Sequence, residues 1–183
     1  QVAGSCRMCL IYTGMPARDR ATGELLKNED GTVKIAFAPK PSIACGTKVA
    51  EGMHIITNSK EVENCRKAVI EFLLLNHPLD CPICDKAGEC KLQEYAHKYG
   101  NAESRFVENK NVKPKRVEVA GKIIMDSERC IECSRCIRFC REFIGRDIFG
   151  FTKRGSKTEI SVYPGGDNDS NYLLNVVDGC PVG

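Results

Sequence analysis

The stretch His77-Pro78-Leu79-Asp80-Cys81-Pro82-Ile83-Cys84-Asp85-Lys86-Ala87-Gly88-Glu89-Cys90 places one imidazole and three thiols within fourteen residues. Pro78 biases His77 away from helical backbone, so the apolar segment Phe72-Leu73-Leu74-Leu75 ends there and the imidazole stands at the mouth of the next loop. A second run, Cys130-x2-Cys133-x2-Cys136, follows, and an isolated Cys180-Pro181 lies near the last residue. Soft ligands spaced this closely read as metal binding, and the spacings favour iron–sulfur clusters over zinc. Zinc ligands usually come as two short pairs from separate loops, whereas these four fall on one wrapping segment.

Twelve cysteines and no tryptophan in 183 residues suit one large domain, or two to three small ones stabilised by metal. Disulfides are the alternative. The chain as read shows no signal-peptide pattern, and its CxxC pairs are too close for a secreted framework, so the expected compartment is reducing. The net charge of +3 is mild. Lys110, Lys113, Lys115 and Arg116 form a basic stretch, and Arg129, Arg135, Arg138 and Arg141 surround the second cysteine run. Nucleic-acid binding would use these cations, but no aromatic residues interleave with them; the arginines read as offsetting thiolate charge and the lysines as a solvated linker. A chain that begins at Gln1 without methionine and ends at Gly183, with metal motifs near both ends, reads as a fragment of a longer protein.

Val33 to Phe37 alternates like a half-buried strand, residues 14–31 read as a polar surface loop, and Pro39 and Pro41 break the chain before Cys45. Asn58 with Glu61 suggests a capping box for a helix running to about Asn76, with Val62, Val69, Phe72 and Leu73 on one side. Its apolar end is too short to span a membrane. Glu89 to Tyr99 reads as a second helix stopped by Gly100, and residues 101–117 as a linker or extended wrap. Lys122 to Met125 reads as a strand, the stretch after Cys133 as a short helix, and 147–152 with 157–163 as a hairpin turning at Gly155. A Pro-Gly-Gly-Asp loop and a final apolar turn from Asn171 to Val177 complete the chain.

In the bacterial-ferredoxin run C-x2-C-x2-C-x3-C-P, three cysteines bind one cluster and the fourth binds another. Cys130, Cys133, Cys136 and Cys140 keep the spacing, but Arg141 replaces the proline. Counting back from Cys180, the complementary ligands would be Ser170, Leu173 and Val176, none of them a cysteine. The second cluster therefore reads as lost and its site as filled. Cys180 then completes the first cluster with Cys130, Cys133 and Cys136, and Cys140 is left a buried free thiol. Cys6-x2-Cys9 with Cys45 fits a plant-type [2Fe–2S] site whose remaining ligand lies upstream of residue 1. Three clusters need twelve ligands, and eleven are present: ten cysteines and His77. Cys65 reads as a passive helix residue, and His54 and His97 as ordinary histidines.

The ordered set Gly4-Ser5-Cys6-Arg7-Met8-Cys9, Asn76 to Asp85, and Cys130 through Cys180-Pro181-Val182-Gly183 resembles the N-terminal iron–sulfur region of the large electron-transfer subunit of NADH:quinone oxidoreductase, over essentially the whole chain. The resemblance implies an α+β fold in three parts. Residues 1–60 would be the C-terminal part of a plant-ferredoxin-like β-grasp domain holding [2Fe–2S] on Cys6, Cys9 and Cys45. Residues 61–112 would be a small helical domain holding [4Fe–4S] on His77, Cys81, Cys84 and Cys90. Residues 113–183 would be a bacterial-ferredoxin-like domain that keeps one [4Fe–4S] of two, on Cys130, Cys133, Cys136 and Cys180. It implies an electron relay with no substrate chemistry on this chain. Electrons would come from a flavin-containing NADH-binding subunit and move toward quinone, among other subunits of the peripheral arm. Contact with the membrane would be indirect, on its cytoplasmic or matrix face. Related modules serve NAD-linked hydrogenases and formate dehydrogenases, many of which keep both cysteine runs, so Ser170, Leu173 and Val176 favour the quinone enzyme. A zinc-stabilised nucleic-acid-binding module is the alternative of another class.

Overall fold

The computed structural model describes residues 2–165 and 168–183, so the expected Pro-Gly-Gly-Asp loop lies partly outside the described residues. The chain divides into two compact units, 2–69 and 70–183.

The first unit is built on β1 (Leu10–Pro16), which pairs antiparallel with three short strands. These are β2 (Ile35–Phe37), β3 (Ser42–Ile43) and β4 (His54–Ile56). The register sets Leu10 against Ile43 and Gly14 against both Phe37 and His54. Gly14 is required by this arrangement: a Cβ there would come within 2.7 Å of Ile35 Cγ2 and Phe37 Cδ1. The segment between β1 and β2, expected as a plain loop, is itself paired. Arg18 bridges Leu25, Lys27 bridges Val33, and the Lys34 carbonyl accepts from Ala17 N at 2.8 Å. Asp19 closes its tip by accepting from Ala21 N and Thr22 N at 2.8 and 3.0 Å, a turn chemistry that conceals strand pairing from a polarity reading.

Helix α1 (Lys60–Leu74) starts one residue later than the Asn58 box implies. Its cap is Ser59, whose Oγ accepts from Val62 N at 3.3 Å, not Asn58. Val62 and Ile70 are buried and Val69 and Leu73 half-buried, while Phe72 is 73% exposed, so of the expected side only Phe72 faces outward.

In the second unit, α2 (Lys91–Tyr99) buries Leu92 and stops at Gly100. That glycine has an ordinary φ of −75°; a side chain there would collide with the Ala96 carbonyl, to which its N–H is bonded at 2.9 Å. Next come the hairpin β5 (Val117–Val119) and β6 (Ile123–Met125), then α3 (Arg135–Phe139), which runs into a π-helical turn at Cys140–Ile144. The hairpin β7 (Phe149–Thr152) and β8 (Glu159–Val162) and the short α4 (Asn175–Asp178) complete the unit.

Its core gathers Val119, Ile137, Cys140, Ile148, Phe149, Ile160 and Leu173, with Val176 packed against it. Cys140 and Leu173 are both fully buried. Leu173 and Val176 thus pack in the core that holds Cys140, a free thiol. Leu173→Ala should leave a cavity in this core and cost about 2–5 kcal/mol, read as a lower denaturant midpoint at unchanged slope.

Candidate metal centres

Three groups of soft ligands emerge from this framework. In the first unit, pairing of Leu10 with Ile43 draws the turn Ala44–Gly46 onto the start of β1. Ala44 N bonds the Cys9 carbonyl at 2.9 Å, and Cys45 N donates to Cys9 Sγ at 3.5 Å. Burial raises the Cys9 thiol, but the hydrogen bonds from Cys45 and Ala44 outweigh it and hold the thiol below its ordinary value. Cys45 moves up, first through its bond to Cys9, with burial and the charges of Cys9 and Cys6 adding to it. These three sulfurs therefore lie within electrostatic reach of one another, with Arg7 between Cys6 and Cys9 in the left-handed region at φ 58°.

The loop Cys130–Ser134 is wound in the same way, with Glu132 at φ 57° and Ser134 at φ 58°. Left-handed residues outside glycine store strain, and such turns aim successive N–H groups inward. Glu132 N donates to Cys130 Sγ at 3.4 Å. Cys130, Cys133, Cys136 and Cys180 all line one cavity of about 360 Å³, walled by Ile131, Val176, Pro181 and Val182 among others. Burial pushes the Cys130 thiol up to about 11 and Cys136 up to about 12, and in both the neighbouring thiols add to the rise. Cys180 is raised by burial too, against a hydrogen bond from Val182 N. Cys130, Cys136 and Cys180, raised by burial and by neighbouring thiols in a largely apolar cavity, are unfavourable as bare thiolates. Bound iron would take up that charge and release their protons. The donor set, the N–H groups turned on sulfur and the apolar wall fit a thiolate-bound cluster.

The third group is that of His77, in the second unit. His77 is half-buried, and its Nδ1 is buried without a hydrogen-bond partner. Burial first, then the positive charge of Lys110, holds the imidazole below its ordinary value and so neutral, the form that takes a metal. Lys110 Nζ donates to the Leu74 and Leu75 carbonyls at 2.8 Å each, and Asn111 N donates to Asn76 Oδ1 at 3.0 Å. The 110–111 strap thus fixes the backbone that presents His77. Cys81 is exposed in the turn Cys81–Ile83. Cys84 lies against Gly183, and Cys90 Sγ reaches the Pro181 carbonyl at 3.8 Å. The structure thus brings Cys84 and Cys90 to the 181–183 turn. Among the described residues, no three histidine, cysteine, aspartate or glutamate side chains converge on a single metal ion. A cubane asks for a wider spread, since each ligand binds a different iron.

Residues 66–105 match the family described as the NADH-ubiquinone oxidoreductase-G iron-sulfur binding region, and 121–183 match the ferredoxin-like domain of NADH-quinone oxidoreductase subunit 3. The NADH-quinone oxidoreductase G subunit of Rickettsia felis is 40% identical over 184 residues, an alignment that covers 100% of this chain. The chain belongs to the NADH-quinone oxidoreductase-G family. Subunit 3 of the Thermus thermophilus NADH-quinone oxidoreductase, another relative, is 38% identical over 193 residues and 98% of the chain. The chain spans 24% of the length of each of these relatives. The fold is also that of an NAD+-reducing [NiFe]-hydrogenase chain solved in the H2-reduced state, with TM-score 0.65 at 20% identity, covering 98% of this chain and 68% of that one. This oxidoreductase-G segment is a mixed helix-and-sheet, iron–sulfur-binding region, and no described helix is long and apolar enough to cross a membrane.

Cys65 sits half-buried in α1, and His54 and His97 are exposed on β4 and α2. Sequence reasoning misses Asp80 as a partner of Arg129. The two meet at 3.2 Å across forty-nine positions, a separation at which no local pattern exists.

Proposed function

We propose that this segment relays single electrons through three iron–sulfur clusters. Cys6, Cys9 and Cys45 hold a [2Fe–2S] cluster in a plant-ferredoxin-like part, residues 1–60. His77, Cys81, Cys84 and Cys90 hold a [4Fe–4S] cluster in residues 61–112. Cys130, Cys133, Cys136 and Cys180 hold another in a ferredoxin-like part, residues 113–183. Electrons enter from a flavin-containing NADH-oxidising subunit and leave toward quinone, within the peripheral arm of a membrane-associated complex and on the cytoplasmic or matrix side. The observation that carries this reading is that four half-buried thiols line one largely apolar cavity, in a chain whose relatives are NADH-quinone oxidoreductase subunits.

Each cluster, when bound, supplies a one-electron carrier whose potential depends on ligand type, hydrogen bonds to sulfur and burial. The chain's own part is to exclude water with Ile131, Val176 and Val182, and to direct N–H groups at sulfur from Glu132 and Val182. Protein purified without oxygen should be brown, carry iron and acid-labile sulfide, and give EPR signals on reduction with dithionite. A colourless protein with stoichiometric zinc would overturn the relay and favour a structural binding module.

A further inference from the structure

The residue before the first cysteine of each proposed [4Fe–4S] set is charged, and the two are tied to each other. Asp80 precedes Cys81 and Arg129 precedes Cys130. Arg129 Nε lies 3.2 Å from Asp80 Oδ2 and 3.4 Å from Asp126 Oδ2. Lys115 Nζ completes the group at 2.7 Å from Asp80 Oδ2, 3.2 Å from Asp126 Oδ2 and 2.8 Å from Glu128 Oε2. This is not a solvated surface pair. The side chains of Arg129, Asp126 and Glu128 retain 13%, 15% and 12% of their exposure, and charges so enclosed are weakly screened.

Backbone bonds hold the group in place. Asp126 Oδ1 accepts from Glu128 N and Arg129 N at 2.9 and 3.2 Å, Lys113 N donates to Glu128 Oε1 at 3.1 Å, and Ser127 N donates to the Pro114 carbonyl at 3.1 Å. The guanidinium stem also lies beside Cys84: a Cβ added at Gly183 would meet both Cys84 Sγ and Arg129 Cδ. Burial opposes the Arg129 charge, while Asp80, Cys84 and Asp126 sustain it.

We propose that Arg129, joined to Asp80 and Lys115 between the Cys81–Cys90 and Cys130–Cys136 segments, is a shared positioning charge that sets the reduction potentials of both [4Fe–4S] sites together. This rests on the relay reading above. One electron added to either site increases its negative charge by one, and a fixed cation next to both favours that step at both. Arg129→Met keeps much of the stem and removes the charge, so both potentials fall. The two sites are also held at a constant separation, because the same side chain fastens Asp80 to the turn that leads into Cys130.

The test is an EPR-monitored dithionite titration of wild type, Arg129→Met and Arg129→Lys, with iron and sulfide counted in each. Expected is a roughly tenfold loss in the reduction equilibrium at both sites in Arg129→Met, about 59 mV downward for one electron, with most of it recovered in Arg129→Lys. A shift at only one site, or at neither, overturns the proposal even if the variant is less stable. If Arg129→Met fails to load iron, Lys115→Met, at a side chain 40% exposed, decides by the same criterion. Wild type without iron or sulfide would instead defeat the relay reading itself.

Discussion

Cys136→Ala should abolish the cluster on Cys130, Cys133 and Cys180, removing about four irons per chain while the other two sets still load. The expectation follows from burial. Cys136 stands on the first turn of α3, its thiol pushed up to about 12 by burial among Cys130, Cys133 and Cys180. The cavity wall beside it includes Ile131, Val176 and Val182, whose side chains offer no donor to take its corner. Of the three remaining thiols, Cys130 and Cys180 are raised by burial and would be left protonated. The binding free energy of a structural metal site is also folding free energy, so the 113–183 part should lose cooperative unfolding as well as colour. Anaerobic iron and sulfide counts, paired with a thermal melt, check both consequences. Full iron content in Cys136→Ala would refute the ligand assignment. Cys140→Ala is the matched comparison, because Cys140 lies in the apolar core and not in the cavity wall. It should keep all the iron and lose only packing.

The burial of Cys140 among apolar side chains is the part of the fold most legible in the sequence. Arg141 in place of proline and Leu173 and Val176 in place of cysteine are local substitutions, and the core that joins Leu173 to Cys140 is their direct consequence. Helix α2, strand β6 and the β7–β8 hairpin of the second unit are equally readable, since period and turn residues lie within a few positions of each other, whereas β5 begins at the end of a stretch that reads as linker. The misreadings have the same origin in reverse. Asn58 and Ser59 are both good caps, and only backbone geometry decides that Ser59 reaches Val62 N. Phe72 has the apolarity of a buried residue, yet it faces outward while Ile70 is buried. The pairing inside residues 17–34 is hidden by polar side chains, because bridges such as Arg18 with Leu25 use backbone groups that every residue carries.

For the site, spacing identifies candidate ligands but not their surroundings. By composition, the arginines around the second cysteine run are a diffuse offset to thiolate charge. The structure instead gives Arg129 the carboxylates of Asp80 and Asp126, and Arg141 that of Asp147 at 2.8 Å. Such pairs form between positions far apart or across a turn, where composition is silent about distance. Lys110 is a similar case: its neighbours in sequence suggest a solvated linker, yet it caps the helix that ends before His77.

His77→Cys should retain its cluster and lower that cluster's potential, leaving the other two in place. Thiolate replaces a neutral imidazole, so the site carries one more negative charge in both oxidation states and accepts an electron less readily. Histidine ligation raises the potential of iron–sulfur centres for this reason. The direction is sharpened by the surroundings, because burial and Lys110 already hold His77 neutral. At an effective dielectric near 20 and a separation of about 5 Å, one unit charge contributes about 3 kcal/mol, which for one electron is over roughly 100 mV. His77→Ala, lacking any donor, should bind the cluster poorly or lose it, which separates ligation from charge. The Lys110→Met variant removes the nearby cation without touching a ligand and should lower the same potential by less. EPR-monitored titration of the three variants gives the order expected: Lys110→Met a small downward shift, His77→Cys a large one, and His77→Ala loss of the signal. An unchanged potential in His77→Cys with full iron content would mean that another group holds that corner of the cluster.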